Sequence, residues 1–179
     1  MNQFIRSKLA NIVPVVVLIF SISFLSFYSP NSSAESKQAA PSLQGVTGWV
    51  NSEPLTVDGL KGKVVMVEFW SSNCPNCMNA LPHVLAWNDK YAKSGLVIIG
   101  VQVPAKGKNN IATVKKMMAD RGIKYPVAMD INHTTAKAYN VHQLPTYILI
   151  DKTGNSVYRK VGAGDYKSIE NKIKNLLSQ

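Results

Sequence analysis

Cysteine is nearly missing from this sequence: its 179 residues contain two, Cys74 and Cys77. So small a number excludes a dense disulfide framework and any zinc site built from several thiolates. Histidine is almost as scarce, and His83, His133 and His142 show no zinc-like spacing, so each reads as a surface or structural residue. Acidic residues are few, 10 against 20 lysines and arginines, for a formal charge of +10. The excess is spread along the chain, with no Arg-rich arm or recognised basic motif, which argues against a nucleic-acid partner. It reads as a solvated basic surface, with attraction to an anionic membrane as its more plausible use. No internal repeat occurs, so a repeat architecture is excluded. What remains, 46% hydrophobic and 17% charged residues in a chain of this length, suits one globular domain with its own core.

The first feature present is an apolar run. Arg6 and Lys8 precede a stretch from Leu9 to Tyr28 with no charged residue, the pattern of a targeting segment. The run is long enough to span a bilayer, while Pro14 and the serines at 21, 23 and 26 weaken it as a permanent anchor. Ser32-Ser33-Ala34 offers small residues for cleavage, and no cysteine lies nearby to carry a lipid. Residues 1–34 are therefore expected to be a signal peptide or an N-terminal membrane anchor, 35–42 a linker, and 43–179 the folded domain. Either form of the leader keeps the basic end inside and places the domain in an extracytoplasmic compartment, the periplasm or the outer face of the cytoplasmic membrane.

Within the domain, Gly45–Asn51 and Pro54–Val57 predict a short β-hairpin. Lys63–Trp70 is a nearly continuous apolar run, the mark of a central strand buried on both faces. A helix is expected from Pro75 to Lys93, with Leu81, Val84, Leu85 and Trp87 as its apolar stripe, Pro82 as a kink and Gly95 as its stop. Leu96–Val103 is a second buried strand, Asn110–Asp120 a helix, the region of Val127 a short strand, and Thr134–Tyr139 a short helix. Thr146–Ile150, a turn, and Ser156–Val161 form a terminal hairpin, and Ile169, Ile173, Leu176 and Leu177 mark the last helix. Alternating strands and helices with an antiparallel end predict an α/β fold with a mixed sheet.

The cysteine pair has three readings. As a clip it is poor, because closing so small a loop contributes only about 2 kcal/mol in the chain-entropy model, against nearly 5 for a loop of about 100 residues. As a metal site it lacks ligands, although a copper site using both sulfurs and one histidine stays open. As a reagent it is well placed. Cys74 stands at the head of a helix, where backbone N–H groups and the helix dipole favour the thiolate. Pro75 suits the first turn, and Cys77 lies one turn on along the same face. Cys74 would attack a disulfide and Cys77 would resolve the mixed disulfide. Glu68 is the other informative residue, since an acid in a buried strand is costly to ionise and needs a partner or a purpose.

Val67-Glu68-Phe69-Trp70 before Cys74-Pro75-Asn76-Cys77, then Leu81-Pro82, Val97–Val101 and Leu144-Pro145-Thr146, form an ordered set over residues 43–178 that resembles the thioredoxin superfamily. The closer likeness is to its TlpA/ResA-like branch of exported thiol–disulfide oxidoreductases. The resemblance implies a thioredoxin-like fold, a central mixed β-sheet flanked by helices, with the N-terminal hairpin and a helix–strand insertion over about 110–130. It implies a redox-active disulfide Cys74–Cys77 and no other cofactor or metal. Glu68 becomes a proton shuttle for the resolving thiol. Leu144-Pro145 becomes a cis bond beside the sulfurs, and Trp70, Pro75, Asn76, Leu144 and Pro145 the residues next to substrate. Partners would be protein thiols or disulfides and a membrane electron donor or acceptor. Two departures matter: Ala80 replaces a glutamate common among members that serve cytochrome c maturation, and Pro75-Asn76 differs from the Gly-Pro of reducing thioredoxins. Val67 and Ser71 stand where proteins that resemble peroxiredoxins carry proline and threonine, which argues against a peroxidase. The reading carried forward is a reductant. The alternatives are a disulfide-forming oxidant or a non-enzymatic copper-binding thiol protein.

Overall fold

A computed structural model describes residues 38–104 and 111–179 of the chain, all within the unit Lys37–Gln179. The expected leader, and Asn110 as a helix start, lie outside the described residues. The strands are β1 (Gln38–Ala39), β2 (Trp49–Val50), β3 (Val64–Trp70), β4 (Leu96–Gln102), β5 (Val127–Met129), β6 (Thr146–Ile150) and β7 (Asn155–Val161). The helices are α1 (Pro75–Tyr91), α2 (Ile111–Asp120), α3 (Thr134–Ala138) and α4 (Tyr166–Leu177). The seven strands make one mixed sheet in the order β1-β7-β6-β3-β4-β5-β2. Among the described residues, no helix is long and apolar enough to cross a membrane.

Strand β3 lies at the centre, parallel to β4 and antiparallel to β6. All seven of its residues are buried, Glu68 among them, as the nearly continuous apolar run predicts. Successive side chains point to opposite faces. Val64, Met66 and Trp70 join one apolar cluster with Leu81, Val84 and Trp87 of α1 and Ile169, Ile173 and Leu176 of α4. Val65, Val67 and Phe69 join the other, with Ala136 of α3 and Tyr139. Burying each such side chain stabilises the fold by about 1.5–3 kcal/mol, so the sheet is held from both sides.

Helix α1 runs through Pro82, which lies on its exposed side and removes only the N–H that would pair with the Met78 carbonyl. A short 3-10 turn, Ala92–Ser94, follows, and Gly95 with φ 102° ends the segment in a left-handed conformation suited to glycine.

Two expectations need correction. The N-terminal hairpin does not form: Trp49–Val50 pairs antiparallel with Val127–Ala128 of β5, and no strand covers 54–57. Asn51, at φ 66°, directs its side-chain amide to the carbonyls of Ile123 and Tyr125, at 2.9 and 3.2 Å. The segment is thereby tied to the far edge of the sheet instead of folding back on itself. The linker also ends earlier than expected. Gln38–Ala39 pairs with Ser156 and Asn155, Ala40 N–H donates to the Gly154 carbonyl at 2.9 Å, and the Tyr139 hydroxyl donates to the Pro41 carbonyl at 2.6 Å. A two-residue edge strand uses backbone groups alone, so composition carries no sign of it.

Gly100 on β4 is required by a close approach. A Cβ there would stand 2.8 Å from Trp70 Nε1 and 3.1 Å from both Tyr125 Cε2 and Val127 Cγ2. Gly100→Ala is expected to destabilise the fold by about 1–3 kcal/mol through overpacking. Urea unfolding should show a lower midpoint with an unchanged slope.

Candidate active site

Sequence order places the two cysteines at a strand-to-helix junction. After β3 the chain turns through Ser71, Ser72 and Asn73, and Cys74 becomes the N-cap residue of α1, with extended backbone and Pro75 following at the first helical position. Cys74 and Cys77 form a disulfide, their Cα atoms 5.3 Å apart. The Cys77 N–H donates to Cys74 Sγ at 3.2 Å, and the Cys77 and Met78 N–H groups lie 3.0 and 3.1 Å from the Cys74 carbonyl. On reduction, a thiolate on Cys74 would meet that same N–H and the positive end of the helix dipole, both of which favour the charged form.

The two sulfurs differ in access. Cys74 is half-buried, whereas Cys77 is only 1% exposed and belongs to the same buried cluster as Trp70. A partner's sulfur can therefore meet Cys74 and not Cys77.

Glu68 is 2% exposed and shares its face of β3 with Met66 and Trp70, whose apolar cluster includes Cys77. Burial pushes its carboxyl up to about 7, against the opposing effect of the hydrogen bond that the Tyr125 hydroxyl donates to Oε2 at 3.1 Å. Tyr147, directly opposite Glu68 on β6, is fully buried, and burial with the nearby Glu68 charge drives its phenol far above the ordinary range. Gln102, opposite Trp70 on β4, is fully buried as well. Trp70 Nε1, both side-chain amide atoms of Gln102 and the Tyr147 hydroxyl have no hydrogen-bond partner among the described residues. Glu68 is thus a carboxylate within a buried polar group on the sheet face that packs with Cys77, able to take up or release a proton near neutral pH.

Leu144-Pro145 is a cis peptide. Pro145 is buried, and Leu144 lines a cavity of about 560 Å³ that also takes in Cys74 and Asn73. Pro75 and Asn76 are exposed at the helix start. Cys74, Cys77, Glu68 and Leu144-Pro145, spread over 78 positions of sequence by numbering, are brought to one end of the sheet through the β3–β6 pairing. Trp70 is the exception. Its indole is 2% exposed and does not line the cavity, so it packs beneath the site and makes no surface for substrate. The reason is the missing side chain at Gly100, which lets the indole settle across β4.

The copper alternative needs a third ligand, and no group of three His, Cys, Asp or Glu able to hold a metal gathers among the described residues. His83 instead stacks on Tyr166, ring centroids 3.8 Å apart, joining α1 to α4.

A matching family model covers residues 35–177. The chain belongs to the Redoxin family. Of its relatives, Protein DipZ of Mycobacterium tuberculosis (strain CDC 1551 / Oshkosh) is 40% identical over 148 residues, covering 80% of this chain and 21% of DipZ. The chain thus spans about a fifth of that relative. Thiol-disulfide oxidoreductase ResA of Bacillus anthracis is 27% identical over 171 residues, 94% of this chain and 95% of ResA. Among solved structures, Thioredoxin-like superfamily protein SPOA0173 superposes with a TM-score of 0.73 at 26% identity, over 79% of this chain and 97% of that one. The fold is thioredoxin-like, and the resemblance read from the sequence holds at the level of family and fold.

Sequence reading missed Tyr125, Tyr147 and Gln102 around Glu68. Gln102 left a trace, a polar residue inside an apolar strand run, of the same kind that singled out Glu68. Tyr125 left none, because its bond to Glu68 joins residues 57 positions apart. The grouping of His133, Lys137 and His142 around the cavity beside Cys74 was equally invisible.

Proposed function

We propose that this protein is an extracytoplasmic thiol–disulfide oxidoreductase that reduces disulfides in other proteins. The carrying observation is the asymmetry of the pair: Cys74 is accessible at a helix start, Cys77 is buried, and a protonatable Glu68 lies on the covered sheet face whose cluster includes Cys77. Membership of the Redoxin family and the likeness to a relative named as a thiol-disulfide oxidoreductase support the chemistry. The basic, apolar leader over residues 1–34 supports export, as a cleaved signal or as a membrane anchor.

In the reducing direction the Cys74 thiolate attacks a substrate disulfide. A Cys74–substrate disulfide forms, the substrate S–S bond breaks, and the leaving thiolate takes a proton. Cys77, deprotonated with Glu68 as acceptor, then attacks Cys74 Sγ, closing the internal disulfide and releasing the second substrate thiol. Two electrons have passed to the substrate, and a membrane-bound electron donor restores the dithiol. Pro75, Asn76 and Leu144 lie next to the incoming chain, and Pro145, which follows Leu144, is buried. The redox-active disulfide is the only cofactor this cycle needs, and nucleic acid has no part in it.

The test is insulin reduction with dithiothreitol, together with the reduction potential measured against glutathione. Turbidity should develop far faster than with dithiothreitol alone, and the potential should fall nearer to about −270 mV, as for thioredoxin, than to about −120 mV, as for DsbA. A potential at the upper end would reverse the direction to that of an oxidant, and no acceleration would remove the activity.

A further inference from the structure

The cavity beside Cys74 carries charge of one sign. Its floor is apolar, from Val103, Pro104, Ala136 and Leu144, and its wall brings Lys137 and His142 to the same opening as Cys74. No aspartate or glutamate among the described residues lines it. Asp130, the acid nearest in sequence, is fully buried and accepts from the Thr135 and Ala136 N–H groups at 3.1 and 2.7 Å, so it is occupied within the fold. Four of the described lysines hold ion pairs, Lys61 with Asp58, Lys90 and Lys174 with Glu170, and Lys116 with Asp120, while others such as Lys63 and Lys93 hold none. Lys137 and His142 have neither an ion pair nor a hydrogen bond from their side chains among the described residues.

A lysine left unmatched at the mouth of an apolar cavity has its field focused by the low-dielectric wall beside it. We infer that this cavity selects protein substrates in which an acidic residue adjoins the reactive cysteine, the carboxylate meeting Lys137 while the neighbouring chain covers the apolar floor. A cavity of about 560 Å³ takes one or two side chains with their backbone. The selectivity rests on the thiol-exchange reading above and names the substrate class of that same site.

A positive charge near Cys74 also favours its thiolate, which speeds attack on every disulfide alike. The ratio of rates between acidic and neutral substrates cancels that common effect and isolates recognition.

The experiment uses three symmetric disulfide dimers of a blocked tetrapeptide, with Glu, Gln or Lys following the cysteine. Reduced protein is mixed with each, and every rate is divided by that of the same dimer with 2-mercaptoethanol to remove intrinsic reactivity. Cys74 joins to one half of the dimer, the other half leaves as a thiol, and Cys77 releases the first half, so two peptide thiols appear per disulfide formed in the protein.

At low salt the Glu peptide should react about fivefold faster than the Gln peptide, with the Lys peptide slowest, a ratio at the upper end for a partly screened charge pair. Added salt should flatten the series. Lys137 is exposed, so its replacement leaves the core untouched: Lys137→Gln should bring the Glu and Gln rates together, and Lys137→Glu should invert the order. Equal rates for all three peptides in the wild-type protein would overturn the selectivity while leaving the exchange activity standing. No reaction with any peptide, in a protein that also fails to reduce insulin, would overturn the activity and the selectivity with it.

Discussion

Cys77→Ser is expected to accumulate covalent adducts with substrate proteins through Cys74, while Cys74→Ser forms none and reduces insulin no faster than dithiothreitol alone. The contrast follows from access. Cys77 at 1% exposure cannot be reached by a partner's sulfur, so with Cys74 gone the remaining thiol is shut away. With Cys77 gone, the half-buried Cys74 still attacks from its N-cap position, but nothing within the protein cleaves the mixed disulfide. Non-reducing electrophoresis of an extract treated with each variant reads the result directly. Equal adduct yields from the two variants would show that the sulfurs are interchangeable, against the burial difference.

Glu68→Gln has two expected consequences of opposite sign. Loss of the proton acceptor should slow release of substrate from the Cys74 mixed disulfide by on the order of 100-fold, the lower end for general acid–base catalysis, while the first attack by Cys74 stays nearly unchanged. The inflection near pH 7 in the release rate should vanish with it. Stability should move the other way. The folded-state carboxyl titrates at about 7 and the unfolded one near 4.5, so the folded state holds its proton more tightly. Its contribution is complete below pH 4.5, falls as pH rises through the window from 4.5 to 7, and is gone above it. A shift of that size corresponds to about 3 kcal/mol. Glu68→Gln, which cannot ionise, should therefore gain up to about 3 kcal/mol over wild type by pH 8 and nothing at pH 4, measured as urea midpoints at the two pH values. Parallel curves for the two proteins would place Glu68 at its ordinary titration, against its burial.

Much of this site was legible before the fold was known. A nearly continuous apolar run marked a strand covered on both faces, which made Glu68 conspicuous, and the helix pattern starting at Pro75 put Cys74 at its head. These are local signals, carried by residues a few positions apart. The hairpin over 45–57 failed because its turn-like residues are used elsewhere: Asn51 bonds to carbonyls more than 70 positions away. The edge strand at Gln38–Ala39 was hidden because backbone pairing does not depend on side-chain type.

The sequence by itself determined the succession of strands and helices from β3 onward, the place of Cys74 at a helix start, and the presence of an acid in the core, because periodicity, capping and spacing act over a single element. Only the tertiary structure decided that Tyr125 and Tyr147 flank that acid, that Trp70 turns inward over Gly100 instead of toward substrate, and that Lys137 and His142 share an opening with Cys74. Each of those depends on the sheet order β6-β3-β4-β5, which places residues dozens of positions apart side by side. The physical reason is range: a strand's own pattern records which faces are buried, and carries no mark of which neighbour buries them.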